Sequence, residues 1–189
     1  MTDHFLNTTV RKGKFDAGHR VMHEKYKCFN VHGHEYHYEL HFGFKTSHEI
    51  GYAIDFKEIK RVACQWIDDR LDHGFIANPK DTVLVEACRA VGSKLYLMNL
   101  VDDHGFCNPS AENIAKELFF AASILLNSDN LVLKKIRLFE TVNCFVDCDG
   151  ITDEEDTQLS ASPLMKDLME YRAEKGVVEY DERKTRTDK

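Results

Sequence analysis

No run of eighteen apolar residues occurs in this chain, so no segment reads as a membrane-spanning helix. Residues 1–10 show no basic region followed by an apolar one, which predicts no export signal. There is no Cys-x-x-Cys pair. The six cysteines (Cys28, Cys64, Cys88, Cys107, Cys144 and Cys148) are scattered, and without an export signal they read as reduced thiols in a cytoplasmic setting. Internal repeats and a basic stripe are also missing. Net charge is −7, and −5 of it lies from Asp149 onward, where twelve acids face seven bases. The remaining −2 leaves the body nearly neutral, which argues against a nucleic-acid partner but leaves room for an anionic small molecule held by a few local bases.

What is present is ordinary for a globular protein: 189 residues, 43% hydrophobic and 30% charged. That length is enough for one domain with a real core. The expected division is a domain over residues 1–150 and an acidic, charged extension over residues 151–189.

The chemistry concentrates in residues 27–38, Lys-Cys-Phe-Asn-Val-His-Gly-His-Glu-Tyr-His-Tyr. In an extended segment His32 and His34 point to one face, roughly 6–7 Å apart at the backbone, and can converge on one ion. Zinc suits clustered neutral imidazoles, and a catalytic zinc keeps three protein ligands and one open position. Ten histidines in one chain also produce such pairs by chance. Cys28 stands close enough to act as a ligand, or as a nucleophile or base.

Residues 8–18 read as a strand leading to His19, which is either a surface histidine beside a turn or a third ligand brought in by antiparallel pairing. Residues 34–44 are the clearest strand. Tyr36, Tyr38, Leu40, Phe42 and Phe44 share one face with the two histidines, while Glu35, His37, Glu39 and His41 share the other. A helix is expected from a cap at Asp55 to Arg70, with Glu58 completing a capping box and Phe56, Ile59, Ala63, Trp66 and Ile67 buried. At its end Asp72-His73 is either an acid/base couple or a histidine complementing the helix dipole. A short helix is expected over residues 82–91 and a short strand over 94–100. A long helix follows to Asn127, capped by Asn108 or Ser110. Residues 131–148 form a strand pair or one bent strand. Glu140 there is either half-exposed or a ligand-anchoring group, since a buried glutamate requires a partner. Residues 152–156 read as solvated acid, 163–176 as one amphipathic helix through Leu164, Leu168 and Tyr171, and 181–189 as frayed.

Six blocks in order complete a pattern: Phe15-Asp16-Ala17-Gly18-His19-Arg20, Cys28 through His34, Ile54-Asp55-Phe56-Lys57, Leu71-Asp72-His73, Pro109-Ser110-Ala111-Glu112-Asn113, and Phe139-Glu140-Thr141. The chain resembles the family of 6-pyruvoyl- and 6-carboxy-tetrahydropterin synthases over residues 14–148. The resemblance implies an α+β tunnelling fold, an antiparallel sheet with a helix pair on one face, whose sheets join into a barrel by oligomerisation. A homohexamer of two trimers, with active sites between subunits, is the implied assembly. It places zinc on His19, His32 and His34, catalysis on Cys28, Asp72 and His73, and substrate binding on Glu140, Ser110 and Thr141. Ser110 stands where the family has threonine and keeps the hydroxyl.

Three residues between Cys28 and the His-Gly-His resemble the carboxy branch, which serves queuosine and related deazapurines. Five resemble the pyruvoyl branch of biopterin synthesis. The implied reaction is lysis of 7,8-dihydroneopterin triphosphate to 6-carboxy-tetrahydropterin, acetaldehyde and triphosphate. Arg20, Lys25 and Lys27 are candidates for phosphate contact. The competing class is a non-catalytic assembly module in which Cys28 closes a structural zinc site. Residues 79–107 are longer than in compact members of the family, and the extension has no counterpart there.

Overall fold

Two long strands carry the site. In the computed structural model, which describes residues 7–47, 49, 51–101 and 107–177, β1 (Asn7–His19) and β2 (His32–Phe44) pair antiparallel from Asn7–Phe44 to His19–His32. Residues directly opposite share a face. Phe15 opposes Tyr36, Ala17 opposes His34 and His19 opposes His32, so one buried row runs from Leu40 through Tyr38, Tyr36 and Phe15 into the histidines. The alternation read in the sequence holds: Tyr36, Tyr38, Leu40 and Phe42 are buried, and Glu35 and His37 are exposed.

On the far edge of β2 lies β5 (Leu131–Thr141), which turns back into β6 (Cys144–Cys148), both antiparallel. Beyond β1, two short strands join in parallel, β3 (Gly74–Ala77) and β4 (Leu95–Leu97), giving the order β4-β3-β1-β2-β5-β6. The expected antiparallel sheet is its four-strand core. The parallel edge is an addition: β3 has only four residues, too few for period-two alternation to register. It runs parallel to β1, and a helical crossover from β2 leads into it.

That crossover comprises α1 (Phe56–Ile59), a π turn (Lys60–Cys64) and α2 (Gln65–Leu71). Asp55 caps it, accepting from Lys57 N at 2.8 Å, but Glu58 pairs with Arg61 instead of closing a capping box. Phe56, expected on the buried face, is 51% exposed, and Val62 is buried instead. Ile59, Ala63, Trp66 and Ile67 are buried as expected. After β3 comes α3 (Thr82–Ala90), and α4 (Ala111–Leu126) follows as the central core helix, capped by Ser110.

The extension is not loose. It forms α5 (Asp153–Ser160) and α6 (Pro163–Glu174), two helices where one was expected. The acidic stretch at 152–156 is a first helical turn, closed by a Thr152–Glu155 capping box. Leu159, Leu164, Leu168 and Tyr171 enter the common core. Asp167 accepts from Trp66 Nε1 and from Arg70, and Arg172 donates to the Ile124 carbonyl. Residues 181–189, expected to fray, lie outside the described residues. Among the described residues no helix is long and apolar enough to cross a membrane.

Candidate active site

The register makes the histidine cluster. His19 and His32 end their strands as a directly opposed pair, and His34 follows on the same face. Their donor nitrogens all lie within 4.8 Å of one another, with Nε2 of His19 and His32 at 3.2 Å. His19 Nδ1 donates to the Pro109 carbonyl and His32 Nδ1 to the Asn30 carbonyl, each at 2.7 Å. Those bonds put the protons on Nδ1 and leave a lone pair on each Nε2. Two lone pairs 3.2 Å apart repel unless a cation or proton lies between them. The separation matches the roughly 3.3 Å between tetrahedral ligands about 2.0–2.1 Å from zinc. His34 Nε2 is buried with no hydrogen-bond partner. Burial holds His19 below the usual imidazole pKa, the Pro109 carbonyl offsetting this only in part, which favours the neutral, metal-binding form. The residues present therefore fit a metal ion.

Glu140 approaches the same face from β5. Its Oε1 is 3.7 Å from His19 Nε2 and 3.9 Å from His34 Nε2, and the side chain is 27% exposed. Tyr36 packs edge-on against His19 and His34 and stacks on Phe15. Its hydroxyl is buried and unpartnered. Burial raises the phenol pKa, and the nearby Glu140 and Cys28 raise it further, so the group stays protonated. Cys28 sits half-buried in a 3-10 turn, Lys27–Phe29, whose Cys28 carbonyl accepts from Val21 N at 2.7 Å. The thiol is not among the clustered donor atoms.

Ser110 caps α4 one residue after the Pro109 carbonyl that holds His19. Thr141 lies apart. It is exposed, and its hydroxyl accepts from Asn143 N in the β5–β6 turn. Lys25 and Lys27 are exposed.

Asp72 and His73 form a couple of their own. His73 Nδ1 is 2.6 Å from Asp72 Oδ2, and Asp16 N donates to Asp72 Oδ1 at 2.8 Å. Burial alone would raise the Asp72 carboxyl, but the Asp16 N–H and His73 outweigh it and hold the carboxyl below its ordinary range. His73 adopts φ 55°, a left-handed conformation that costs a β-carbon residue energy, and its N–H donates to the Asp16 carbonyl at 2.7 Å. His73 lines a cleft of about 430 Å³ with Asp16, Ala17, Gly18, Gly33, His34 and Glu35. Strand alternation turns Asp16, Gly18, Gly33 and Glu35 away from the face that carries the histidines. The couple groups with Asp16, whose side chain is on the face turned away from the histidines, while the cleft beside His73 is also lined by His34.

A family model described as 6-pyruvoyl tetrahydropterin synthase matches residues 8–150. The chain belongs to this family. Among its relatives, the 6-carboxy-5,6,7,8-tetrahydropterin synthase of Rickettsia conorii is 37% identical over 144 residues, covering 73% of this chain and 96% of that protein. The enzyme of the same name from Aquifex aeolicus is 31% identical over 147 residues, covering 68% and 88%. The fold is that of the Caenorhabditis elegans 6-pyruvoyl tetrahydropterin synthase structure, with a TM-score of 0.55 at 20% identity and coverage of 77% and 96%. Both the family match and the relatives place this chain among enzymes of the tetrahydropterin-synthase type.

Reading the sequence missed the Pro109 and Asn30 carbonyls and the Tyr36 hydroxyl. The first two are backbone atoms with no side-chain signature. Tyr36 was counted as core, which it also is.

Proposed function

We propose that this chain is a zinc-dependent 6-carboxytetrahydropterin synthase. It would convert 7,8-dihydroneopterin triphosphate and water to 6-carboxy-5,6,7,8-tetrahydropterin, acetaldehyde and triphosphate, in queuosine-type deazapurine synthesis in the cytoplasm. The supporting observation is relatives of that name at 36–37% identity over 73% of the chain, which agrees with the three-residue spacing between Cys28 and His32-Gly33-His34.

His19, His32 and His34 would hold the zinc, which supplies Lewis acidity toward the substrate's side-chain hydroxyls. Glu140, whose carboxylate is left beyond hydrogen-bond distance of its neighbours, accepts the paired N–H donors on the pterin's amino-pyrimidinone edge. Cys28 takes the proton from the carbon next to the hydroxyl-bearing centre. His73, oriented by Asp72, moves protons in the remaining steps. Ser110 and Thr141 contribute hydroxyls to substrate binding. Because the Asp72–His73 couple groups with Asp16 and not with the three histidines, the couple would serve a neighbouring subunit's site in a homo-oligomer, a hexamer of two trimers.

The test is product analysis after incubating zinc-loaded protein with dihydroneopterin triphosphate, with Cys28→Ala alongside. Acetaldehyde and the 6-carboxy pterin should form, and the variant should lose roughly 10²–10⁴-fold in rate. A 6-pyruvoyl product without acetaldehyde would move the chain to the pyruvoyl branch. No turnover of this substrate would overturn the reading.

A further inference from the structure

Arg20 directly follows the cluster histidine His19, yet its guanidinium turns away from the cluster. Nε and NH2 grip Asp81 through both carboxylate oxygens, at 2.5 and 2.6 Å. The flat face of the same guanidinium lies 5.0 Å from the Phe29 ring centroid. Phe29 adjoins Cys28 in the 3-10 turn. Asp81 is 2% exposed and caps α3, accepting from Leu84 N, so it is fixed by its own helix. The loop before it is tied in as well: Asn78 is buried and donates to Asn108 Oδ1, which also accepts from Met22 N. Asn108 precedes Pro109, whose carbonyl orients His19. A closed circuit of contacts therefore links the His19 strand end, the start of α4, the α3 cap and the Cys28 turn.

Two of the five N–H donors of Arg20 and one side of its guanidinium are committed inside the protein. We propose that Arg20 and Asp81 are positioning residues: the Asp81-fixed guanidinium holds Phe29, and so the Cys28 turn, in place against the histidine cluster. The proposal rests on Cys28 acting at this site. The remainder of the Cys28 turn's anchorage is Val21 N to the Cys28 carbonyl, His32 Nδ1 to the Asn30 carbonyl and short bonds within the turn itself. A lysine at position 20 would keep the charge but supply neither the two-pronged grip nor a planar face.

The experiment reads thiol reactivity, not turnover. The full-length protein, with and without zinc, is treated with iodoacetamide, and alkylation of each cysteine is followed by peptide mass spectrometry. Exposed Cys144 and buried Cys107 serve as internal references. Asp81→Asn and Arg20→Ala should raise the Cys28 rate at least fivefold and leave Cys144 and Cys107 unchanged, and Arg20→Lys should restore only part of the protection. If Asp81→Asn does not fold, Phe29→Leu leaves the Arg20–Asp81 pair intact and removes only the stacked ring, and it should raise the Cys28 rate in the same way. A Cys28 rate within twofold of wild type in the folded variants overturns the brace, as does a rise shared by Cys107. Should Cys28→Ala retain pterin turnover, the catalytic reading fails, while the brace still stands or falls on these rates.

Discussion

Glu117 and Glu140 both lie on elements that frame the core, and the fold treats them differently. Glu117, 1% exposed on α4, accepts from Tyr96 OH at 2.6 Å, Asn99 N at 2.6 Å, Leu100 N at 2.8 Å and Asn99 Nδ2 at 3.1 Å. Its oxygens are occupied by β4 and the loop that follows it. Glu140 has two imidazoles beyond hydrogen-bond distance and stands near a phenol and an imidazole nitrogen that are themselves unpartnered. A buried polar group without partners is costly. One region thus has its polar groups satisfied from within the chain, and the other concentrates unsatisfied groups where a ligand can satisfy them.

The sharpest way to break this contrast is to truncate each carboxylate. Glu117→Ala strands Tyr96 OH and two backbone N–H groups and should cost about 3 kcal/mol. That corresponds to a melting temperature lowered by roughly 6–12 °C in calorimetry for a domain of this size. Glu140→Ala should stay within about 0.5 kcal/mol of wild type, yet weaken a neopterin ligand about 30-fold in titration calorimetry.

Metal addition sharpens the comparison next. Zinc at a hundredfold excess over its dissociation constant should stabilise the wild type by about 2.7 kcal/mol, and a chelator should reverse it. In His34→Ala the zinc-dependent rise in melting temperature should disappear. In Glu117→Ala it should persist on a lower baseline.

The smallest effect concerns pH. Burial raises the Glu117 carboxyl above its ordinary 4.5, its hydrogen bonds opposing this only in part. Its contribution is therefore fully present below 4.5 and is lost as pH rises through the folded value. The stability advantage of wild type over Glu117→Gln should shrink as pH increases from about 4.5. Asp167 has the opposite sign. Burial pushes its carboxyl up, but Arg70 and Trp66 more than offset this and hold it below its ordinary 3.8. Its contribution is present above 3.8 and is lost as pH falls through the folded value, so Asp167→Asn should flatten the acid limb. Urea unfolding at a series of pH values separates the two.

Much of this was legible beforehand where a local rule operates. Period-two alternation marked β2 and its buried face because every second residue meets the core. Apolar spacing marked α4 and α6. The Thr152–Glu155 capping box was also readable, but the run of acids around it drew the reading toward solvent. Side-chain charge does not decide helicity when the first turn welcomes anions. β3 escaped notice because four residues carry too little pattern. Phe56 fits the apolar spacing, yet it is the first residue of α1 and is exposed there.

The sequence by itself determined the residue types of the site, the shared face of His32 and His34, and the family to which the ordered motifs point. All of these follow from chemistry or spacing within a few residues. Only the tertiary structure decided that β1 and β2 end in register, so that His19 meets His32. It also decided that carbonyls at Asn30 and Pro109 fix the tautomers, and that Arg20 pairs with Asp81 sixty-one positions away. The grouping of the Asp72–His73 couple with Asp16 and not with the histidines was settled there too. Each depends on how the strands register and pair and on backbone atoms that every residue shares, and neither is written in the identity of any single side chain.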